Sequence, residues 1–398
     1  MKAVILAAGE GTRMRPLTYT RPKVMLPIAN KPILEFLVLE LKKIGISEFV
    51  FVVNYKKELI KNYFENGKKW NVDIDYIVQK EQLGTANAIF ECSDIITDRF
   101  MVLNGDLLIS ARDLKELKEK KRKEEVVLAV KEVENPKNFG VIEVDGNKVT
   151  RIIEKPENPK TSLANSGIYI FSQIIFDYIQ KTPISPRGEY EITDSIQLLI
   201  DSGFNVRYQV IKEWMDIGYP WDLLNANEYL LKNIKTEING EVESYATLKN
   251  KVIIGKGTII RNGSYIIGPA IIGKNCDIGP NCFIRPSTCI GDNVRIGNAV
   301  EVKNSIIMNN TNIGHLSYVG DSIIGSKCNF GAGTKVANLR HDGKNIKVKI
   351  KNKLIDTKAR KLGVIMADGV HTGINTSINV GVVIEKDTYP GEIVMRNK

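Results

Sequence analysis

The side chains able to do chemistry in this chain are a few charged residues set beside glycines. The first group is Leu6-Ala7-Ala8-Gly9-Glu10-Gly11-Thr12-Arg13-Met14-Arg15-Pro16, continued by Arg21-Pro22-Lys23. Gly9 and Gly11 let the backbone turn its N–H groups onto a phosphate chain. Arg13 and Lys23 put positive charge where a departing pyrophosphate gathers negative charge, which is what nucleotidyl transfer asks of a protein. Two other glycine motifs do not fit: the Walker A loop needs Gly-Lys-Ser/Thr where Met14-Arg15-Pro16 stands, and the dinucleotide fingerprint needs a glycine at Met14. Asp106, in Asn104-Gly105-Asp106, and Asp216, in Trp214-Met215-Asp216-Ile217-Gly218, are carboxylates suited to a magnesium ion bridging phosphates. A capping aspartate is the structural alternative at Asp106. His315, in Ile313-Gly314-His315-Leu316-Ser317-Tyr318, has the side chain best suited to general-base work near neutral pH, although a lone histidine is more often structural.

The elements that position these residues alternate. The apolar run Ala3 to Ala8 predicts a buried strand feeding the glycine loop, followed by a helix over Pro32–Lys43 that Gly45 stops. Strands are predicted at Phe49–Val53, Ile74–Val78 and Phe100–Leu103, with helices near Lys57–Glu65 and Thr85–Glu91. Such alternation implies a mainly parallel α/β sheet with ligands at the carboxyl ends of its strands. Gln79-Lys80-Glu81-Gln82-Leu83-Gly84-Thr85-Ala86 follows the third strand. Gln79 offers a donor and an acceptor to a base edge, with Gly84 and Thr85 beside it; a polar loop with a helix cap is the alternative. Phe139-Gly140-Val141, Glu154-Lys155-Pro156 and Asn165-Ser166-Gly167-Ile168-Tyr169 accompany strands predicted at Val141–Val144, Val149–Ile153 and Ile168–Phe171. Polar groups beside glycine at strand ends suit hydroxyl-rich sugars. The charged run Lys115–Lys123 reads as a solvated helix face.

The 398 residues predict two domains. The net charge of +10 is uneven: residues 251–398 hold 21 Lys/Arg against 10 Asp/Glu, while the rest is balanced. A basic domain of this kind could meet nucleic acid, a membrane surface or a polyanionic small molecule. There is no charged-then-apolar leader and no apolar run of about 18 residues, so a cytoplasmic location without membrane insertion is expected. The five cysteines form no Cys-x-x-Cys pair, which favours reduced packing residues over zinc or redox chemistry.

From about Val252 an aliphatic residue recurs every sixth position, as in Ile271-Ile-Gly-Lys-Asn-Cys, Asp277-Ile-Gly-Pro-Asn-Cys and Cys289-Ile-Gly-Asp-Asn-Val. A helix cannot sustain that period; stacked coils with an aliphatic interior can. The expected domains are 1–232 and 252–398, with 233–251 as linker. Asn338–Lys361 interrupts the repeat and carries nine Lys/Arg, Lys344 among them, against Asp342 and Asp356.

The string from Leu6 to Lys23 resembles the signature of the sugar-1-phosphate nucleotidylyltransferases. The resemblance implies that Leu6, Ala8, Gly9, Gln79, Gly84 and Thr85 bind the nucleotide and that Arg13 and Lys23 act on its phosphates. It also implies that Asp106 and Asp216 hold Mg²⁺ and that Gly140, Glu154 and Asn165 hold the sugar phosphate. The later repeats resemble the acetyltransferase site of the bacterial bifunctional N-acetylglucosamine-1-phosphate uridylyltransferase/glucosamine-1-phosphate acetyltransferases, which implies a left-handed parallel β-helix. There His315 would be the base, Arg285, Lys303, Tyr318 and Asn329 would hold the sugar phosphate, and Ala332, Asn338 and Lys344 would meet acetyl-CoA. Asp216 and Asn104 depart from that bacterial pattern toward glucose-1-phosphate thymidylyl- and uridylyltransferases. The archaeal bifunctional proteins share this mixed character, and the resemblance to them covers essentially the whole chain.

The expected function is acetylation of a hexosamine 1-phosphate, glucosamine 1-phosphate first, from acetyl-CoA, followed by Mg²⁺-dependent nucleotidyl transfer from UTP or dTTP to the N-acetylhexosamine 1-phosphate with release of pyrophosphate, in a homotrimer formed through the β-helix as the family implies. The alternatives are a single-function nucleotidylyltransferase with a structural β-helix, a guanylyltransferase acting on mannose 1-phosphate, and a nucleic-acid module. The last lacks stacking aromatics in its basic loop.

Overall fold

A computed structural model describes residues 1–119 and 126–398. By internal contacts the chain forms two units: Met1–Glu10 with Ile33–Asp216, and Gly11–Pro32 with Ile217–Lys398. The signature string is therefore divided at Gly11, and residues 11–32 count with the repeats.

In the first unit the strand Ala3–Ala7 is apolar throughout because both of its faces are covered. It pairs in parallel with Glu48–Val53 on one side and Phe100–Asn104 on the other, and Asp73–Val78 extends the parallel half. The remaining order is Leu163–Phe171, Val126–Glu132, Val206–Val210, Lys148–Glu154, Gly140–Asp145. Here the Rossmann-like sheet becomes mixed: Leu163–Phe171 is antiparallel to both its main neighbours, and Gly140–Asp145 folds back on Lys148–Glu154 as a hairpin. Helix Ile33–Lys43 buries Ile33, Leu34, Leu37, Val38 and Leu41 along one stripe. It ends where Gly45 takes φ 75°. Helix Ala111–Lys118 begins at Ser110, whose side chain accepts from the Asp113 N–H. Lys115 and Glu119 face solvent on it, as read from the charged run, and residues 120–123 of that run lie outside the described residues.

In the second unit the repeats wind into three parallel sheets of 8, 7 and 8 strands among the described residues, consistent with a left-handed parallel β-helix. Val252 pairs with Ala270 and Ala270 with Thr288, so these circuits take 18 residues. From Cys289 pairing with Ile306 the circuit shortens to 17. The interior column is aliphatic and closed, with Ile254, Ile272, Ile290, Ile307 and Ile324 at most 1% exposed. Ile323 then pairs with Ile365, so the chain between them makes an excursion out of the stack. That excursion contains the expected break, where Lys347–Ile350 and Lys353–Asp356 form an antiparallel hairpin.

Residues 237–249, expected as linker, instead form the first coil: Glu237–Ile238, Glu241–Val242 and Thr247–Lys249 pair with the three strands that follow. With no coil beneath, this turn does not need the aliphatic repeat, and Ile238 and Val242 are exposed.

All five cysteines are free and buried. Burial pushes the Cys92 and Cys289 thiols up to about 12 and Cys328 to about 11. Buried neutral thiols are poor nucleophiles. In a thiol-reagent titration at pH 8 the native protein is expected to react at none of them and the denatured chain at all five. Because the folded values are raised, their contribution to stability is present at neutral pH and is lost as pH rises from about 8.5, the usual thiol value.

Candidate functional site

The first unit builds one cluster at the carboxyl end of its central strands. Leu6 accepts from the Gly105 N–H (2.9 Å), which sets Asn104-Gly105-Asp106 beside the end of the first strand. Gly9 has open space where a Cβ would stand, so packing does not demand a glycine there. Gly167 does answer to packing: at φ 74° it lies against the Asn104 amide, where any Cβ would collide. Its N–H donates to Asn165 Oδ1 (3.3 Å), and Asn165 Nδ2 donates to the buried Tyr169 hydroxyl (2.6 Å).

The two aspartates are brought together by strand register. Leu107–Ile109 pairs antiparallel with Trp214–Asp216, and Asp216 lies opposite Leu107, one residue from Asp106. Antiparallel partners stand about 5 Å apart at Cα. Asp113, 2% exposed, accepts from the backbone N–H groups of Lys212 (2.9 Å) and Glu213 (2.8 Å) and so fixes the approach to Asp216. The Ser110-x-x-Asp113 spacing announced this cap in the sequence, although Asp113 was not among the expected site residues. Two carboxylates with only oxygen donors fit Mg²⁺, which keeps waters and substrate phosphates as its other ligands. Among the described residues no group of three or more His, Cys, Asp or Glu forms a larger metal cluster.

The Gln79–Ala86 loop differs from expectation at its first residue. Gln79 is 3% exposed, and its Nε2 is spent on Asn87 Oδ1 (2.8 Å) and the Gly84 carbonyl (3.3 Å). It therefore holds the loop's shape from inside. Gln82, exposed, reaches the Ala8 carbonyl (2.8 Å) at the end of the first strand. Only the fold shows which of two glutamines three residues apart points outward. Thr85 Oγ1 accepts from the Ile192 N–H (3.0 Å) and starts a short helix.

Gly84 takes φ 114°, and a Cβ there would stand 2.5 Å from the Tyr190 carbonyl oxygen and 2.7 Å from its nitrogen. Tyr190 cannot move aside, because its N–H donates to Leu83 (2.7 Å) and its carbonyl accepts from Ala86 (2.9 Å). Gly84→Ala is expected to cost about 1–3 kcal/mol from backbone strain alone and to displace the loop; a thermal melt reads the first effect and pyrophosphate release the second.

Gly140 and Glu154 are direct strand partners, and the strand carrying Asn165 pairs with the same hairpin. A Cβ on Gly140 would lie 3.1 Å from Glu154 Oε2 and 3.4 Å from Asn165 Cβ, so the three meet at one corner. The sequence reading missed their neighbours. Glu154 bonds Lys155 (3.1 Å) and Arg187 (3.4 Å), and Arg187 also donates to the buried Glu191 (2.8 Å). Burial first, and the Glu154 charge second, push the Glu191 carboxyl up.

The second unit holds the rest of the signature. Gly11, at φ 66°, lies where a Cβ would stand 2.8 Å from Lys23 Cβ, and its carbonyl accepts from Thr18 Oγ1 (2.9 Å). Lys23 is 7% exposed; Arg13 is exposed and lies over the Tyr219 ring, 5.2 Å from its centroid.

On the coils, Arg285, Lys303 and Tyr318 follow one another up a single sheet, through the pairing of Phe283 with Glu301 and of Glu301 with Tyr318. Arg285 bonds Glu301 (2.8 Å). Asp321, 3% exposed, collects Lys303 (3.4 Å), Asn304 (2.7 Å) and the Asn338 amide, which also donates to the Tyr318 hydroxyl (3.2 Å). His315 ends the preceding side of the same coil and is exposed. Its carbonyl accepts from the Gly333 N–H (3.2 Å), which stacks the Ala332-Gly333 corner on the histidine's corner. Asn329 stands on the strand directly above Asn312, three residues from His315. Lys344 is exposed in the excursion, beside the Arg340–Asp342 pair. Asp321 is the residue on this face that the sequence reading missed.

The nucleotidyl transferase family matches residues 2–233, and the family described as GMPPB C-terminal domain matches residues 266–388. The chain is 47% identical over 392 residues to the bifunctional protein GlmU of Methanocaldococcus jannaschii, covering 98% of this chain and 93% of that protein. It is 43% identical to the bifunctional sugar-1-phosphate nucleotidylyltransferase/acetyltransferase of Sulfurisphaera tokodaii, covering 100% and 98%. Among solved structures it resembles a putative glucose-1-phosphate thymidylyltransferase from Bacillus anthracis, crystallised with a sucrose, at TM-score 0.54 and 31% identity over 60% of this chain and 97% of the other.

Proposed function

Because the chain belongs to the family of bifunctional sugar-1-phosphate nucleotidylyltransferase/acetyltransferases, we propose that it makes a nucleotide N-acetylhexosamine in two steps, each at its own site. In the first, the amine of glucosamine 1-phosphate attacks the thioester carbonyl of acetyl-CoA, His315 takes the amine's proton, and CoA leaves as the thiol. Arg285 and Lys303 bind the sugar's phosphate, Tyr318 and Asn329 stand alongside, and Ala332 and Asn338 meet the acetyl group. The basic hairpin, with Lys344, receives the CoA phosphates.

In the second step a phosphate oxygen of the N-acetylhexosamine 1-phosphate, or of glucose 1-phosphate, attacks the α-phosphorus of UTP or dTTP in line, and pyrophosphate leaves. Arg13 and Lys23 stabilise the leaving group. Leu6, Ala8, Gly9, Gly84 and Thr85 form the nucleotide's surroundings, with Gln79 shaping the loop beneath the base. Gly140, Glu154 and Asn165 hold the sugar. Asp106 and Asp216 would hold Mg²⁺, which when bound supplies charge neutralisation on the phosphates. The reading places the protein in the cytoplasm as a homotrimer; no helix among the described residues is long and apolar enough to cross a membrane.

The observation that carries the two-activity reading is the His315 corner. The imidazole is exposed three residues before Tyr318, whose hydroxyl joins the Asn338, Asp321 and Lys303 network. A coil used only for assembly has no need of that buried carboxylate and its basic partners. The test is thiol release from acetyl-CoA with glucosamine 1-phosphate, beside pyrophosphate release over a panel of UTP, dTTP and GTP. Sugar-dependent thiol release and a pyrimidine preference are expected; pyrophosphate without thiol release leaves a single-function enzyme, and a GTP preference a guanylyltransferase.

A further inference from the structure

The Arg21 side chain of the signature is held by the β-helix. Its guanidinium is paired with Asp368 and donates to Ser326 Oγ (3.2 Å), and the neighbouring Thr20 hydroxyl donates to Asp368 Oδ2 (2.6 Å). Arg21 and Asp368 are 20% and 15% exposed, so the pair is screened from water far more than a surface ion pair.

The coil's own architecture accounts for only half of what Asp368 does. Asp368, Ser326, Asn309, Asp292 and Lys274 occupy the same corner in successive coils, each two residues past the paired aliphatic position. At that corner a side-chain Oδ1 accepts from the backbone N–H of the coil before it. Asp292 accepts from Lys274 (2.7 Å), Asn309 from Asp292 (2.9 Å) and Asp368 from Ser326 (2.7 Å). An asparagine does this as well as an aspartate. The second oxygen and the charge of Asp368 are surplus to the coil, and both are given to Thr20 and Arg21.

We propose that Asp368 is a positioning residue for nucleotidyl transfer, a β-helix carboxylate that fixes the Arg21-Pro22-Lys23 segment and through it Lys23. The path is short. Lys23 is two residues from Arg21 and is packed against Gly11, so a shift at Arg21 reaches both the lysine and the glycine turn. A second tether holds the far end of the segment, where the Ala29 N–H donates to Asn227 Oδ1 (2.8 Å) and Asn227 Nδ2 donates to the Ser287 carbonyl (3.0 Å). The inference rests on the nucleotidyl-transfer reading of the signature and adds that the repeats serve that reaction apart from any acetyl transfer.

Asp368→Asn in the full chain keeps the Oδ1 acceptor and removes the charge. The turnover of pyrophosphate release is expected to fall about tenfold to a hundredfold while KM for nucleotide and sugar phosphate changes by less than about twofold. Acetyl transfer should stay at the wild-type value, and the protein should remain folded at the assay temperature, although removing one partner of this screened pair lowers the melting temperature. In an Arg21→Gln background the same substitution should add less than about a further twofold loss, because it acts through Arg21. Wild-type turnover in Asp368→Asn overturns the inference, and so does an equal loss of acetyl transfer, which would make Asp368 a coil-stabilising residue. A wild-type protein that releases no pyrophosphate removes the nucleotidyl reading, and this inference with it.

Discussion

Replacing His315 by alanine is expected to lower acetyl transfer to glucosamine 1-phosphate by about 10²–10⁴-fold, the usual contribution of a positioned general base, and to leave pyrophosphate release unchanged. The separation follows from the architecture. His315 ends a strand whose fold depends on the buried Ile313 and on bonds to the His315 carbonyl from the Gly333 N–H and the Ser317 hydroxyl, none of which uses the imidazole. The alanine variant should therefore melt with the wild type. The amine's proton then has no acceptor at the corner, so the loss should appear in turnover, while Arg285 and Lys303 still hold the sugar phosphate and leave its KM nearly constant. Equal thiol release by the variant would return the β-helix to an assembly role.

The second large effect belongs to the paired aspartates. Asp106→Asn should reduce nucleotidyl transfer by about 10³-fold, equivalent to several kcal/mol of charge stabilisation, with acetyl transfer intact. Asp216→Ala should do the same, and the double variant little more, since the two side chains serve one ion and stand at the same end of one strand pair. Chelation of divalent cations should mimic the variants, stopping pyrophosphate release and sparing thiol release. A chelator that stops both reactions, or Asp106→Asn at full activity, would contradict the assignment.

The parts of the molecule built on short periods could be read directly from the sequence. The strand–loop–helix alternation through Phe100–Asn104 follows from apolar runs cut by glycine, and the coils follow from one aliphatic residue in six. The interruption at Asn338–Lys361 was visible because nine cations in a row of repeats cannot face an aliphatic interior. The rest depended on long-range pairing. Leu163–Phe171 inserts between strands far from it in the chain, and nothing in its composition tells parallel from antiparallel. The first coil was missed because Glu237, Glu241 and Glu243 belong to a turn with only one neighbour. Gln79 and Gln82 have the same chemistry, and burial alone separates them. Arg21, quoted in the sequence only as part of the signature string, is paired with Asp368, a residue 347 positions away.

The most direct measurement of the central claim is a single-vessel reaction of the purified protein with glucosamine 1-phosphate, acetyl-CoA, UTP and Mg²⁺, with products separated by chromatography. A nucleotide N-acetylhexosamine is expected, with one CoA thiol and one pyrophosphate for each molecule formed, no such product from His315→Ala or Asp106→Asn alone, and its recovery when the two variants are mixed. Pyrophosphate with unacetylated sugar in the product and no CoA thiol would contradict the claim.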